Sequence, residues 1–256
     1  MKLFLSSLWK NMVVLTWEIE PELLIEHVPH KIGIYTQNDK AYISLVAYQY
    51  ENTKVKGVKM PFHVSFTEID LRYYVKHQEQ LGVGFIQHIV PRYCISLWAK
   101  RIFNENYITL PMDYSFQNTE TSKVIHYKLW KDKRLFSIDV LANQDLVHTD
   151  WNEMNLVQFG IGMDKYGNTT KFQFEKNENF RSYTVIDYAL NIDFAFLFGR
   201  KWGFLKDLQP VQITVLNDNK IRIFQPYYVY DKTFNTLATR IQEESIQEEL
   251  ITKELP

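Results

Sequence analysis

The sequence predicts a mainly antiparallel β protein, of β or α+β class, with a few helices. Four segments alternate apolar and polar side chains on either side of a short polar turn, which is the pattern of a β-hairpin. The chain is also rich in strand-forming aromatic residues, with Tyr 16 and Phe 17. Its 256 residues fall within the range of one large β domain.

The four predicted hairpins cover 35–50, 124–141, 158–175 and 211–224. Their turns are expected at 37–40, 131–133, 164–168 and 217–219, where Asn, Asp, Lys and Gly cluster. In the third turn, Gly167 can take a positive φ at no steric cost.

Two helices are predicted within the β framework. "EPELLIEHV" begins with Pro21, a residue that the first turn of a helix tolerates. "RYCISLWAKRIFNENY" follows Pro91 and places Ile95, Trp98, Ile102 and Phe103 on one stripe. Residues 1–235 are therefore interpreted as one domain, and the acidic segment 236–256 as either a docked helix or a frayed tail.

Composition excludes several classes of protein. Lys+Arg 29 against Asp+Glu 30 gives no basic excess, so nucleic acid binding is not expected. Cys94 is the single cysteine, so an intramolecular disulfide is ruled out. We interpret Cys94 as a small core residue. Lys10 and Asn11 interrupt the N-terminal apolar run, so we expect no signal peptide, no membrane partner and a cytoplasmic location.

The segment "FTEIDLRYYV" raises the central question about function. Because strand side chains alternate between faces, Glu68, Asp70, Arg72 and Tyr74 share one side of the predicted strand. Such a face can look at water, or it can line a cavity in which a carboxylate and a guanidinium orient a polar ligand. The pattern alone leaves both alternatives open.

Other motifs add little. The seven histidines are scattered and interpreted as structural or surface residues, so neither a metal site nor a cofactor is expected. "GVGF" at 82–85 is too short to indicate phosphate binding. Its glycines are explained by a tight turn of the chain as it enters a strand.

The order of several segments resembles the YqjF-like family of uncharacterised conserved bacterial proteins, within the acetoacetate-decarboxylase-like superfamily. The segments are "SLWKNMVVLTWEIEPELLIEHVP", "FTEIDLRYYV", "GVGF" and "AKRIFNENYITLPM", and the similarity covers roughly 8–115. It implies a cone-like, mostly antiparallel β-barrel with an interior pocket. The charged face of 66–75 would then look inward.

The resemblance also implies roles for individual residues. Glu68 matches an active-site glutamate of the decarboxylases, and Lys10 matches a substrate-facing arginine. The decarboxylases carry their imine-forming lysine in Pro-Lys-Lys, where this chain has Pro111, Met112 and Asp113. Because neither Met nor Asp supplies an amine, Schiff-base decarboxylation is not expected, and Lys100 is interpreted as a helix-surface residue.

Three functions remain open from the sequence. The first is a pocket for a small polar or anionic molecule, with Glu68 as acid or base. Its ligand-binding residues would be Lys10, Asp70, Arg72, Tyr74, Met112 and Asp113. Any reaction would be lyase-like or proton-transfer chemistry on a small carbonyl or carboxylate compound. The second is a non-catalytic binding module with a plugged interior, and the third is homo-oligomerisation through 194–204, a segment better explained as core.

Overall fold

A computed structural model describes residues 1–30, 32–59, 64–147, 157–164 and 166–229. The strands β1 to β17 are, in order, Leu3–Ile19, Gly33–Ile34, Thr36–Gln37, Lys40–Val55, Val58–Lys59, Phe66–His77, Gln80–Val90, Tyr107–Thr109, Met112–Asn118, Ser122–Lys131, Arg134–Val147, Val157–Met163, Thr169–Lys176, Ser182–Asn191, Gln212–Leu216, Asn219–Phe224 and Tyr227–Val229. The α-helices α1 and α2 are Tyr93–Phe103 and Phe194–Phe198, and two 3-10 helices span Pro21–His27 and Arg200–Asp207. The predicted acidic helix or tail at 236–256 lies outside the described residues.

Seven strands close into a barrel. Around the ring, β1 pairs with β4, β4 with β6, β6 with β7, β7 with β12, β12 with β13, β13 with β16, and β16 with β1 again. All of these pairs are antiparallel except β7 with β12. The predicted mainly antiparallel barrel is therefore confirmed.

A second sheet grows from the C-terminal half of β1. Here β1 pairs with β15, and the sheet continues through β14, β11 and β10 to β9. The change of partner follows an irregularity in β1 between Lys10 and Val13, where Asn11 has a φ of 51°. This one residue bends the strand and shifts its alternation, as a β-bulge does.

Three of the four predicted hairpins are confirmed, at β3–β4, β10–β11 and β12–β13. Gly167 has the expected positive φ, 84°. The predicted pairing within 211–224 is wrong, because β15 and β16 pair in succession along β1. The kinked β1 offers both strands the same edge, so the turn at 217–218 carries the chain from one sheet to the other.

Two apolar cores lie on opposite sides of the shared strands β1, β4 and β6. The larger core fills the space between the barrel wall and the second sheet and includes Leu15, Leu45 and Leu71. The smaller core lies inside the barrel and includes Trp9 and Tyr48. The segment 194–204 joins the larger core, since Phe194, Leu197, Phe198 and Trp202 are buried, as the core interpretation expected.

Helix α1 lies against the barrel, although its orientation differs from the prediction. Trp98 is 65% exposed, whereas Ser96 and Phe103 are buried. Cys94 is exposed, so its interpretation as a core residue is wrong. The helix packs through residues at spacings of four, Ile95, Ala99 and Phe103, which moves Trp98 out of the contact stripe.

Two glycines allow close packing around the barrel. A Cβ on Gly162 of β12 would lie 2.0 Å from the backbone oxygen of Phe103, at the end of α1. A Cβ on Gly84 would lie 2.2 Å from the ring of Tyr73, its partner across β6 and β7. Gly84 in "GVGF" therefore lets a large ring on the neighbouring strand lie close to the backbone, as glycine in strands often does.

In the described part of the chain, no helix has the length and apolar character that crossing a membrane requires.

Candidate functional site

A cavity of about 80 Å³ lies inside the barrel. At 10–15 Å³ for each water position, this is room for roughly five to eight waters. Most of its walls are aromatic or aliphatic, with a small number of ionisable groups among them. The lining residues are Leu5, Trp9, Tyr48, Tyr50, Phe66, Glu68, Arg72, Val83, Phe85, His88, Ile95, Ala99, Phe103, Glu105, Tyr107, Val157, Phe172, Phe174, Lys176, Phe180, Ile221 and Ile223.

The charged face of β6 looks into the barrel. Glu68 and Arg72 are each 2% exposed, Asp70 is 0% exposed, and Tyr74 is buried beside them. Of the two alternatives for this face, the inward orientation is the one found. Antiparallel pairing of β6 with β4 continues without a register shift from Phe66 to Tyr73, which keeps the alternation regular along β6.

Arg72 and Asp70 form a bidentate ion pair. The Arg72 Nε and one terminal nitrogen donate to the two oxygens of Asp70, at 2.6 and 2.5 Å. The guanidinium also lies over the rings of Tyr48 and Phe85, 5.7 and 5.4 Å from their centroids. These contacts compensate for the removal of both charges from water.

His88 lies between two glutamates. Its Nδ1 is 2.7 Å from Oε1 of Glu68, and its Nε2 is 3.3 Å from Oε2 of Glu105. Tyr48 donates its hydroxyl to the same Glu68 oxygen, at 3.1 Å. The Nε2–Glu105 pair is not a hydrogen bond. Among the described residues, neither Nε2 of His88 nor Oε1 of Glu105 has a hydrogen-bond partner.

The pKa values in this group are displaced by burial and by the neighbouring charges. Burial alone lowers the pKa of His88, but the carboxylates of Glu105 and Glu68 outweigh it and raise that pKa to about 10. Burial raises the pKa of Glu105, an effect that His88 opposes. We call Glu68, Asp70, Arg72, His88 and Glu105 the acid–base cluster; it holds three acids and two bases.

Aromatic rings hold the cluster in place. The Tyr107 ring stacks on the His88 imidazole with centroids 4.1 Å apart and planes 4° apart. On another side, Phe85 contacts the same imidazole at 4.1 Å. Tyr50 and Phe66 stack at 4.5 Å and extend the aromatic wall. The strands β7 and β8 fix this geometry, because His88 and Tyr107 are register partners.

Lys176 adds an amine to the cavity wall. It lies on β13, which is three strands from β6 around the seven-strand ring and therefore on the opposite side of the barrel. Burial lowers its pKa to about 8. Lys100, by contrast, is exposed on α1, as the sequence indicated.

Three residues that the sequence placed in the site lie elsewhere. Lys10 follows the cavity-lining Trp9, so alternation turns it to the other face, where it is near Glu51 and Asp218 at 3.6 and 3.7 Å. Met112 packs against the larger core and Asp113 is exposed on β9. The structure therefore buries Glu68, Asp70, Arg72 and Tyr74 together, but not these three. Of the four, Glu68 and Arg72 line the cavity, whereas Asp70 and Tyr74 lie behind its wall.

The sequence interpretation missed His88 and Glu105. The turn "HQEQ" at 77–80 indicates that β6 and β7 form a hairpin, but its register alone would set Gln87 opposite Asp70. A one-residue shift between Leu71 and Arg72 brings His88 there instead, and no feature of the sequence indicates that shift. Glu105 follows α1 in an irregular stretch, where no periodicity indicates burial.

Glu68, Asp70 and His88 each offer a ligand atom, and these atoms lie within 4.8 Å of one another. Their donor set suits a divalent cation in type. However, Arg72 already binds both oxygens of Asp70, and His88 Nδ1 is hydrogen-bonded to Glu68. A metal ion would have to displace both contacts, so the arrangement fits the paired charges better than a metal.

Comparison with solved structures shows the fold. An acetoacetate decarboxylase-like enzyme from Sphingomonas wittichii RW1 matches with a TM-score of 0.61 and 10% identity, over 90% of this chain and 95% of that one. The enduracididine biosynthesis enzyme MppR complexed with pyruvate also matches at 0.61, with 8% identity over 90% and 92%. Acetoacetate decarboxylase from Legionella pneumophila gives 0.61 and 10%, over 90% and 88%.

A search of curated proteins gives no match. The profile of one protein family matches residues 6–163, which is more than half of the chain. The matched part runs from within β1 to the end of β12 and contains all five residues of the acid–base cluster. The chain belongs to this family, DUF2071, described as an uncharacterised conserved protein family.

Proposed function

We propose that the barrel cavity binds a small organic molecule that has an apolar body and one polar group, with the polar group at the acid–base cluster. The supporting observation is the Glu105 side chain, which lines the cavity and whose buried Oε1 has no hydrogen-bond partner among the described residues. A buried polar atom of this kind costs free energy unless a ligand or water satisfies it.

The walls support the apolar part of this proposal. Phe66, Phe85, Phe172 and Phe174 line the cavity together with further rings. Binding pockets typically combine such walls with a few convergent polar groups that orient the ligand.

If the site is catalytic, its chemistry is proton transfer. A hydrogen bond joins Glu68 and His88, so a proton can move between them, and Glu105 lies 3.3 Å from the other ring nitrogen of His88. Displaced pKa values like those of His88 and Glu105 are typical of acid–base sites. The substrate class would be a small carbonyl compound. No imine step is assigned at 111–113, where Met112 and Asp113 offer no amine.

The alternative is a plugged barrel that acts as a binding or interaction module. It would have its interior filled by side chains and a few waters. A cavity with room for more than a few waters and an unpartnered carboxylate oxygen favours the ligand pocket over this alternative.

The test is a thermal-shift screen of acids, amides, ketones and amines with no more than about seven heavy atoms. Wild-type protein is compared with Glu68→Gln. The matched control is Glu175→Gln, which changes an exposed glutamate that pairs with Arg222 at 2.8 Å outside the cavity. We expect at least one compound class to raise Tm in the wild type and the control, and less in Glu68→Gln.

Native mass spectrometry of the purified protein provides a second readout. A bound small molecule that is lost in Glu68→Gln supports the pocket. If no compound shifts Tm in the wild type and no bound species is detected, the plugged barrel is the correct interpretation.

A further inference from the structure

The acid–base cluster carries more acids than bases. Glu68, Asp70 and Glu105 face Arg72 and His88, and all five are buried. With every group ionised, the cluster has a formal charge of −1. Burial of a net charge is costly, so a positive ligand or a bound proton is needed to balance it.

Both cations of the cluster already have carboxylate partners. Arg72 donates to both oxygens of Asp70, and His88 is hydrogen-bonded to Glu68. A ligand carboxylate would therefore have to compete with an existing bidentate ion pair, or reach Nε2 of His88, which lies 3.3 Å from the Glu105 carboxylate. It would also approach Glu105, whose unpartnered oxygen repels a negative charge.

The aromatic walls also favour a positively charged ligand. Tyr48, Tyr50, Phe66, Phe85 and Tyr107 present rings around the acidic end of the cavity. The faces of such rings are negative and attract an ammonium group. Lys176 is on the opposite side of the ring of strands, away from this end.

We infer that the acidic end of the cavity selects a small amine, with the ammonium group at the carboxylate of Glu105, over a carboxylate of the same size. This inference rests on the proposed function, and it makes Glu105 the residue that determines specificity. It also replaces the anionic ligand expected from the sequence, for which Lys10 and Arg72 were the anchors.

The test uses three probes of nearly equal size at pH 7: isobutylamine, isobutyramide and isobutyrate. Their Kd values for the wild-type protein are measured by NMR titration. We expect the amine to bind about tenfold or more tightly than isobutyrate, as an added hydrogen bond between charged groups allows. The amide should lie between them.

Variants then test whether Glu105 sets the preference for the amine. Glu105→Gln should weaken the amine about tenfold and leave the amide within about threefold. Lys176→Met removes the other cation of the wall and should leave amine binding equal or tighter. Glu175→Gln, on the outer surface, should change none of the three Kd values.

The outcomes separate the two proposals. Tightest binding by isobutyrate would overturn the amine preference and leave the ligand pocket standing. If none of the three probes binds and the fragment screen is also negative, both proposals fail. Stabilisation by Zn²⁺ or Mn²⁺ in the absence of amine binding would overturn the amine inference in favour of a metal site. Because the probe ranking uses wild-type protein, it decides the question even if Glu105→Gln does not fold.

Discussion

Strand β6 presents its two faces to two different interiors, and both faces are equally buried. On one face Leu71 is 0% exposed within the apolar core, and on the other Asp70 is also 0% exposed inside the barrel. The difference lies in how burial is compensated. An apolar side chain needs only close packing, whereas a buried charge needs a specific partner. The barrel face should therefore depend on pairs of residues, and the core face on volume.

We expect the largest loss of stability when one charge is removed from the barrel face. Arg72→Met leaves Asp70 buried without its counter-ion. We expect the free energy of unfolding to fall by about 3–5 kcal/mol, measured by urea denaturation.

The double variant Asp70→Leu/Arg72→Met removes both charges and should regain most of that loss. Arg222→Met, which breaks an exposed pair with Glu175, is the control and should cost less than about 1 kcal/mol. Equal losses in the single and double variants would show that pairing is not what the barrel face requires.

On the core face, Leu71→Ala should cost about 2–5 kcal/mol, because it leaves a cavity between the two sheets. Leu71→Met, which nearly conserves the volume, should cost less than about 1.5 kcal/mol. Urea denaturation measures both variants. If Leu71→Met lowers the free energy of unfolding as much as Leu71→Ala does, the core face does not depend on volume.

The pH dependence of stability tests His88. Its pKa in the folded protein, about 10, is raised above the value of about 6.5 for an unfolded chain. The stabilisation that protonated His88 gives to the folded protein is therefore complete below about pH 6.5. It is lost as the pH rises towards 10, by on the order of a few kcal/mol. The free energy of unfolding, measured at intervals across this range, should fall.

His88→Gln should flatten this fall, since it removes the titrating group. His30→Gln changes an exposed histidine and should follow the wild type. A wild-type stability that rises between pH 6.5 and 10 would contradict the assignment of a protonated His88 between two carboxylates.

The smallest expected effect concerns the segment where the sequence comparison placed part of the site. Asp113 is exposed on β9, so Asp113→Asn should change stability by no more than about 0.5 kcal/mol. Ligand Kd values should also remain unchanged. A tenfold change in ligand binding would place this segment at the cavity after all.

Much of the barrel face could be predicted because alternation on β6 is regular. Glu68, Asp70 and Arg72 follow one another at every second position, and the resemblance to a barrel family set their direction. His88 and Glu105 could not be identified in the same way. Neither belongs to a run of alternating charges, since His88 lies between Gln87 and Ile89 and Glu105 between Asn104 and Asn106. Only the pairing of β6 with β7 and of β7 with β8 brings them to Glu68.

Strand β1 shows why the alternation rule also failed. Before the bulge Trp9 faces the barrel, and after it Met12 and Val14 do, because Asn11 adds one residue to the count. The apolar pattern therefore changes phase within a single strand. The structure nevertheless has one 17-residue strand. The hairpin predicted at 211–224 was wrong for another reason, because its turn residues 217–219 lead from one sheet to the other.

The shared wall of β1, β4 and β6 has a thermodynamic consequence. Each of these strands contributes one row of side chains to the barrel and another to the space beneath the second sheet. Neither half can melt while the other survives, because melting either half removes the surface on which the other is built. Calorimetry should accordingly record one endotherm, with a van't Hoff enthalpy equal to the calorimetric enthalpy.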